Sequence, residues 1–232
     1  MNKGKRVVYL FFFLIGLVVL FVGYLSIGYV FQEFLLKREI SSLTKLDISK
    51  DDFNRKLVTT GNYRVVEKTI KNYLNQYSNN IKNVNILVTD ESFTKLLTYD
   101  HMSQDKEYTE SLSTIEDIKG KFNVYIDQMI EMCSVDNIKK PILDANVETY
   151  YVTLYEKLML DDSISSKLRF NVEYLENYKK EMNSKFDTCT ELFNYLKDHS
   201  GDVEYKDGEI KLRTEDMIKE YNSYMDKINK KG

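Results

Sequence analysis

The chain opens on a run with no polar face. From Val7 to Phe31 it reads VVYLFFFLIGLVVLFVGYLSIGYVF, with no charged residue. About 20 apolar residues let a helix cross a hydrocarbon core of about 30 Å. The run therefore predicts an N-terminal transmembrane helix. It is longer than the apolar part of a cleaved signal peptide, about 7–15 residues. Bulky Ile27 and Tyr29 flank the small residues Ser26 and Gly28, so the expectation is an uncleaved signal-anchor. Lys3, Lys5 and Arg6 precede the run, while Lys37 and Arg38 follow it with Glu33 and Glu39 close by. The excess of positive charge on the first side predicts a cytoplasmic N-terminus and an outward C-terminal domain in the plasma membrane.

Past the span the pattern becomes helical. Residues 32–60 are mixed and polar and read as a juxtamembrane stalk, with Ser49-Lys-Asp-Asp52 as a helix start. Tyr63, Val66, Ile70, Tyr73, Tyr77, Ile81, Val84 and Val88 recur at spacings of three and four, which predicts one long amphipathic helix. A short turn follows near Ser92, and Asp100 to Tyr108 reads as a polar loop. Ser113-Thr-Ile-Glu116 has the form of a capping box opening the next helix. Pro141 suits the first turn of another. Val172, Leu175, Met182, Phe186, Cys189, Phe193 and Leu196 fill heptad positions, with Lys179 the exception, and predict antiparallel helices packed at shallow angles.

After Gly201 the period changes to two. Asp207-Gly208 is a favoured two-residue turn. It pairs Val203 with Leu212, Glu204 with Lys211, Tyr205 with Ile210 and Lys206 with Glu209, so every cross-strand pair is complementary. Thr214 then caps a last helix with Met217, Ile218, Tyr221, Met225 and Ile228 inward. The expected fold is mainly all-α: one transmembrane helix, then an elongated antiparallel bundle with a small β-hairpin (203–212) before its last helix. The expected organisation is a cytoplasmic tail 1–6, a signal-anchor helix 7–31, a stalk 32–60 and an extracytoplasmic helical domain 61–232.

Composition narrows the function classes. The chain has 232 residues, a net charge of −3, one proline, two cysteines and two histidines. These exclude a disulfide-dense scaffold, a cysteine-rich zinc module and a generally basic nucleic-acid binder. Because residues 1–38 hold five Lys/Arg and one acid, the remainder is acidic. Ala145 is the only alanine, while Lys, Asn, Ile and Tyr abound, the usage of a low-GC bacterium.

Candidate chemistry is sparse. Cys133 and Cys189 are candidates for one disulfide, although each also falls on an apolar stripe where a thiol is a small core residue. Asp100-His101 and Asp198-His199 place carboxylates beside imidazoles, yet no metalloprotease, nucleophile-elbow, P-loop or calcium-loop pattern accompanies them. No catalytic residue, metal ligand or cofactor is expected. Gly16 and Gly23 share one face of the predicted span and are candidates for close helix contact. The expected partners are the bilayer through residues 7–31 and an envelope or membrane protein, with a homo-oligomer open. The sequence thus reads as an interaction or scaffold component of a bacterial cell envelope. The alternative is an extracytoplasmic ligand-binding or sensing domain that signals through a membrane partner.

Overall fold

The computed structural model describes residues 15–17, 28–89, 92–165 and 172–230. Among them no helix is long and apolar enough to cross a membrane. Apart from residues 15–17 and 28–31, the run 7–31 lies outside the described residues.

The described chain is mostly helical. Helix α1 covers residues 28–43. It is followed by α2 (Gly61–Val88), α3 (Phe93–Leu96), α4 (Tyr99–Gln104), α5 (Thr109–Met132), α6 (Val135–Asp144), α7 (Thr149–Leu160), α8 (Asp162–Ser165) and α9 (Val172–Asp198). Strands β1 (Val203–Lys206) and β2 (Glu209–Leu212) come next, and α10 (Glu215–Asn229) ends the fold. The spine is α2, whose 28 residues span about 42 Å. It packs on α5 and α7, and α5 packs in turn on α9.

Two apolar cores lie along this spine. The first joins Leu36, Ile40, Leu43 and Phe53 to Tyr63, Val66, Ile70 and Leu74 of α2, with Tyr151, Tyr155 and Met159 of α7. The second joins Tyr77 and Val84, farther along α2, to the inner faces of α5 and α9. Its largest rings interlock edge to face, Phe186 lying 5.1 Å from Phe93 and 5.4 Å from Phe122.

The predicted stalk is corrected. Leu36 and Leu43 are fully buried, as is Phe53, because the spacing 36-40-43 gives α1 an apolar stripe that the first core covers. The segment after α1 is a strap stitched to α2. Ser78 donates to the Ile48 carbonyl at 2.7 Å and Lys82 to that of Asp51 at 2.9 Å. Lys71 donates to the Lys56 carbonyl at 3.0 Å. Residues 52–60 are not helical, so Ser49 starts no helix. Its hydroxyl and amide both bond the Asp47 carboxylate in a local turn instead.

Helix starts differ from expectation wherever a nearer cap exists. Thr98 caps α4, its hydroxyl accepting weakly from the His101 amide at 3.4 Å, so part of the expected loop is helical. Helix α5 begins at Thr109, one turn before Ser113, because Asp105 reaches over to the Ser111 amide at 2.7 Å. Ser134 caps α6 by accepting from the Asn137 amide, which leaves Pro141 inside that helix rather than at its start.

The hairpin has the expected register, Val203↔Leu212 through Lys206↔Glu209. Asp207 and Gly208 adopt φ of 56° and 80°, the left-handed pair that this turn demands. A lone hairpin is marginal in water. Here the faces of Val203, Tyr205, Ile210 and Leu212 pack on the second core, and the Tyr205 hydroxyl bonds that of Tyr108. Thr214 caps α10 as expected. Met217 and Ile228 are buried, but Ile218 is exposed, one position off the inward face.

Candidate functional site

The starts of α1, α2 and α7 meet at one end of the molecule. The Thr60 amide donates to Gln32 Oε1 at 2.8 Å, and the Tyr150 hydroxyl donates to Glu33 Oε2 at 2.5 Å. Tyr63 and Tyr151 pack edge to face with centroids 5.0 Å apart, and Tyr150 lies 5.2 Å from Tyr151. Between these elements opens a cleft of about 560 Å³, lined by Tyr29, Phe31, Tyr63 and Tyr151, with Gln32 and Glu148 among its polar groups. The hydrogen bonds from Lys37, then from Tyr150, hold the Glu33 carboxyl below the ordinary glutamate range. The same bond to Glu33 pushes the Tyr150 phenol up.

Above the cleft lies a buried ion cluster that the sequence reading missed. Lys71 Nζ sits 2.6 Å from Glu67 and 2.8 Å from Glu39. Glu67 is fully buried and also accepts from the amides of Val58 and Thr59 and from the Thr59 hydroxyl at 2.6 Å. The cluster ties α1, the strap and α2 together. A signal for it existed: Tyr63, Glu67 and Lys71 follow one another at i, i+4 along the flank of the apolar stripe, so both charges point toward the core side.

Burial works against the charged form of Glu67, but the bonds from Lys71, Thr59 and Val58 outweigh it and hold the pKa down. At Asp105 burial is likewise outweighed, by the bonds from Ser111. A carboxyl whose folded pKa is depressed stabilises the fold above its unfolded pKa, near 4. That stabilisation is lost as pH falls through the folded value. Urea unfolding is therefore expected to show stability declining below about pH 4. Asp105→Asn is expected to flatten that decline.

Asp105, Ser111 and His101 place the three residue types of a hydrolase triad together, but they are wired differently. The Ser111 hydroxyl donates to Asp105 Oδ2 at 2.7 Å, and His101 Nε2 lies 3.1 Å from the Ser111 Oγ. The serine proton thus goes to the carboxylate, not to the imidazole, and among the described residues no carboxylate is hydrogen-bonded to the ring. Ser111 is fully buried, out of reach of a substrate. This cluster caps α5 and joins it to α4. His199 bonds the Tyr195 carbonyl through Nδ1 at 2.8 Å, closing the end of α9. Asp202 is taken by Arg213 at 2.9 Å and Asp207 by Lys211 at 3.5 Å, so these two acids serve ion pairs. Among the described residues no group of three or more His, Cys, Asp or Glu could hold a metal.

The two thiols are free. The geometry of α5 against α9 explains why. Lys119 pairs with Asp187 at 2.5 Å, Asn123 and Asn183 exchange amide bonds, and Asp127 pairs with Lys179 at 2.6 Å. This antiparallel ladder also gives the exceptional Lys179 its role. Extended along the same register, Cys133 lies near the start of α9 and Cys189 lies opposite residue 117. Roughly sixteen residues of rise, about 24 Å, separate them, far beyond disulfide reach. Burial pushes the Cys189 thiol up to about 12, and burial also raises that of Cys133. In the native protein a maleimide is expected to modify Cys133 slowly and Cys189 only after unfolding, with two thiols titrated in denaturant without reductant. Of the two glycines expected to share a face of the predicted span, Gly16 sits on helical backbone with open space around it, and Gly23 lies outside the described residues.

No protein-family model matches this chain, and neither a curated protein nor a solved structure matches it.

Proposed function

We propose that this chain is a single-pass, membrane-anchored scaffold or interaction component of a bacterial cell envelope, with its N-terminus cytoplasmic and its helical domain outside. The observation that carries the reading is the change of pattern along one stretch of chain. The uncharged run ends at Phe31, and Tyr29, Val30, Phe31 and Phe34 at the start of α1 are all more than half exposed. Immediately after, Leu36, Ile40 and Leu43 turn one face into the first core. Apolar residues exposed on all sides fit a lipid surrounding. One buried face fits a domain in water.

The chain is not an enzyme in this reading, and the wiring of Asp105, Ser111 and His101 supports that part. Because α1 takes in the last residues of the uncharged run and its later turns enter the first core, the domain would be held close to the bilayer in a fixed orientation, as an assembly component requires. Proximity crosslinking of the full-length protein in its native cells tests the proposal. Recurrent capture of the same envelope proteins is expected. It should be lost when the helical domain is deleted and kept when residues 7–31 are exchanged for an unrelated span. Capture of bulk membrane protein alone, unchanged by deleting the domain, would overturn it.

A further inference from the structure

The end of the molecule where α1, α2 and α7 begin carries a second consequence of the anchor. We infer that this end, with its aromatic-lined cleft, rests on the bilayer itself and is filled by phospholipid of the outward leaflet, so that the domain sits flush on the membrane instead of standing off it. The inference rests on the membrane-anchor reading above and goes beyond it.

The uncharged run ends at Phe31. Gln32 and Glu33 are the next two residues of α1, within about 3 Å of rise. Those two residues hold the Thr60 amide at 2.8 Å and the Tyr150 hydroxyl at 2.5 Å. The beginnings of α2 and α7 are thereby fixed level with the end of the span. The headgroup layer on each side of the hydrocarbon core is about 5–8 Å thick. Gly61, Asn62, Glu148 and Tyr150 therefore fall within it, although they are distant in sequence from the span.

The chemistry at that level suits the layer. Tyr29, Phe31, Tyr63 and Tyr151 give the cleft aromatic walls, while Gln32, Thr60 and Asn62 supply hydrogen-bonding groups. Tyrosine rings favour this boundary, where one end is apolar and the other wet. Tyr150 is half exposed beside the cleft with its hydroxyl already bonded, which leaves its ring as an apolar surface. A cleft straddling the last residues of a span opens toward lipid and is occupied by chain and headgroup of a neighbouring phospholipid.

The chain contains no tryptophan, so single substitutions give unique fluorophores. Full-length Tyr150→Trp and Asn62→Trp proteins, with Phe12→Trp and Ile218→Trp as references, are reconstituted into phosphatidylcholine vesicles. The lipid is brominated either near the glycerol end of its acyl chains or near their middle. Phe12→Trp is expected to be quenched most by mid-chain bromine. Tyr150→Trp and Asn62→Trp are expected to be quenched at least twofold more by the shallow bromine than by the deep one, and Ile218→Trp by neither. If Phe12→Trp is quenched while Tyr150→Trp and Asn62→Trp respond no more than Ile218→Trp, the inference is overturned and the anchor stands. If Phe12→Trp is not quenched, the anchor reading falls and this inference with it. Unquenched, blue-shifted Tyr150→Trp in a crosslinkable dimer would assign the cleft to a second copy and also overturn the inference.

Discussion

Replacing Lys71 by methionine is expected to lower stability by about 3–5 kcal/mol, the range for removing one partner of a buried ion pair. The side chain is 3% exposed and lies between the Glu67 and Glu39 carboxylates. Methionine fills most of the stem's volume, so packing changes little. What changes is charge. Two carboxylates are left facing one another, one of them fully buried, and the Lys56 carbonyl loses its donor. The strap then loses one of the contacts that hold it against α2. Urea unfolding followed by circular dichroism measures the loss. Adding Glu67→Gln to Lys71→Met is expected to recover part of it, since the amide is neutral and still accepts from Thr59. Lys119→Met, which breaks the half-exposed pair with Asp187, is expected to cost under about 1 kcal/mol. Equal losses for Lys71→Met and Lys119→Met would contradict the role given to the buried cluster.

A fragment beginning at Gly61 is expected to lose the first core. Leu36, Ile40, Leu43 and Phe53 each leave 4% or less of their surface exposed. Burying such a side chain contributes about 1.5–3 kcal/mol, so the four together are worth about 6–12 kcal/mol, comparable with the whole net stability of a domain, about 5–15 kcal/mol. The deletion also strips Glu67 of the Val58 and Thr59 donors. Hydrogen exchange is the direct reading. Protection should vanish in α7 and in the first half of α2 and persist where α5 meets α9. A fragment beginning at residue 28 should keep protection in both. If the Gly61 fragment is as protected in α7 as the longer one, the segment 32–60 is an appendage after all.

What the sequence revealed depends on how local the signal was. The hairpin was legible in full register because its turn, its alternation and its charge pairing lie within ten consecutive residues. The long helices were legible because their stripes at spacings of three and four run for many turns. The strap was not. Residues 52–60 are held by Glu67 and Lys71, and by hydrogen bonds to backbone that leave no periodic trace. The start of α5 was misplaced for a similar reason. Ser113 and Glu116 have the capping-box spacing, but Asp105 supplies the cap from outside the helix. Pro141 read as a start because prolines favour the first turn, while Ser134 had already set that start nearly two turns earlier. Of the site residues, the thiols were separated by the register of α5 against α9, which only the contacts between Asn123 and Asn183 and their neighbours define.

The two cores also give the proposed scaffold a direction. Helices α1 and α2 ascend together, since Gln32 lies beside Thr60 and Glu39 beside Lys71. The second core takes up Tyr77 and Val84, about 24 and 35 Å along α2 from its start, and the hairpin and α10 pack on that core. A partner in the envelope would meet that part first.

The measurement that tests the central claim most directly is topology in intact cells. In a full-length background with Cys133→Ser and Cys189→Ala, single cysteines are placed at Asn2→Cys and at exposed Lys180→Cys. The account predicts that a membrane-impermeant maleimide labels Lys180→Cys in intact cells and Asn2→Cys only after permeabilisation, with both proteins retained in alkaline-washed membranes. Release of the protein into the soluble fraction, or the reverse labelling pattern, would contradict it.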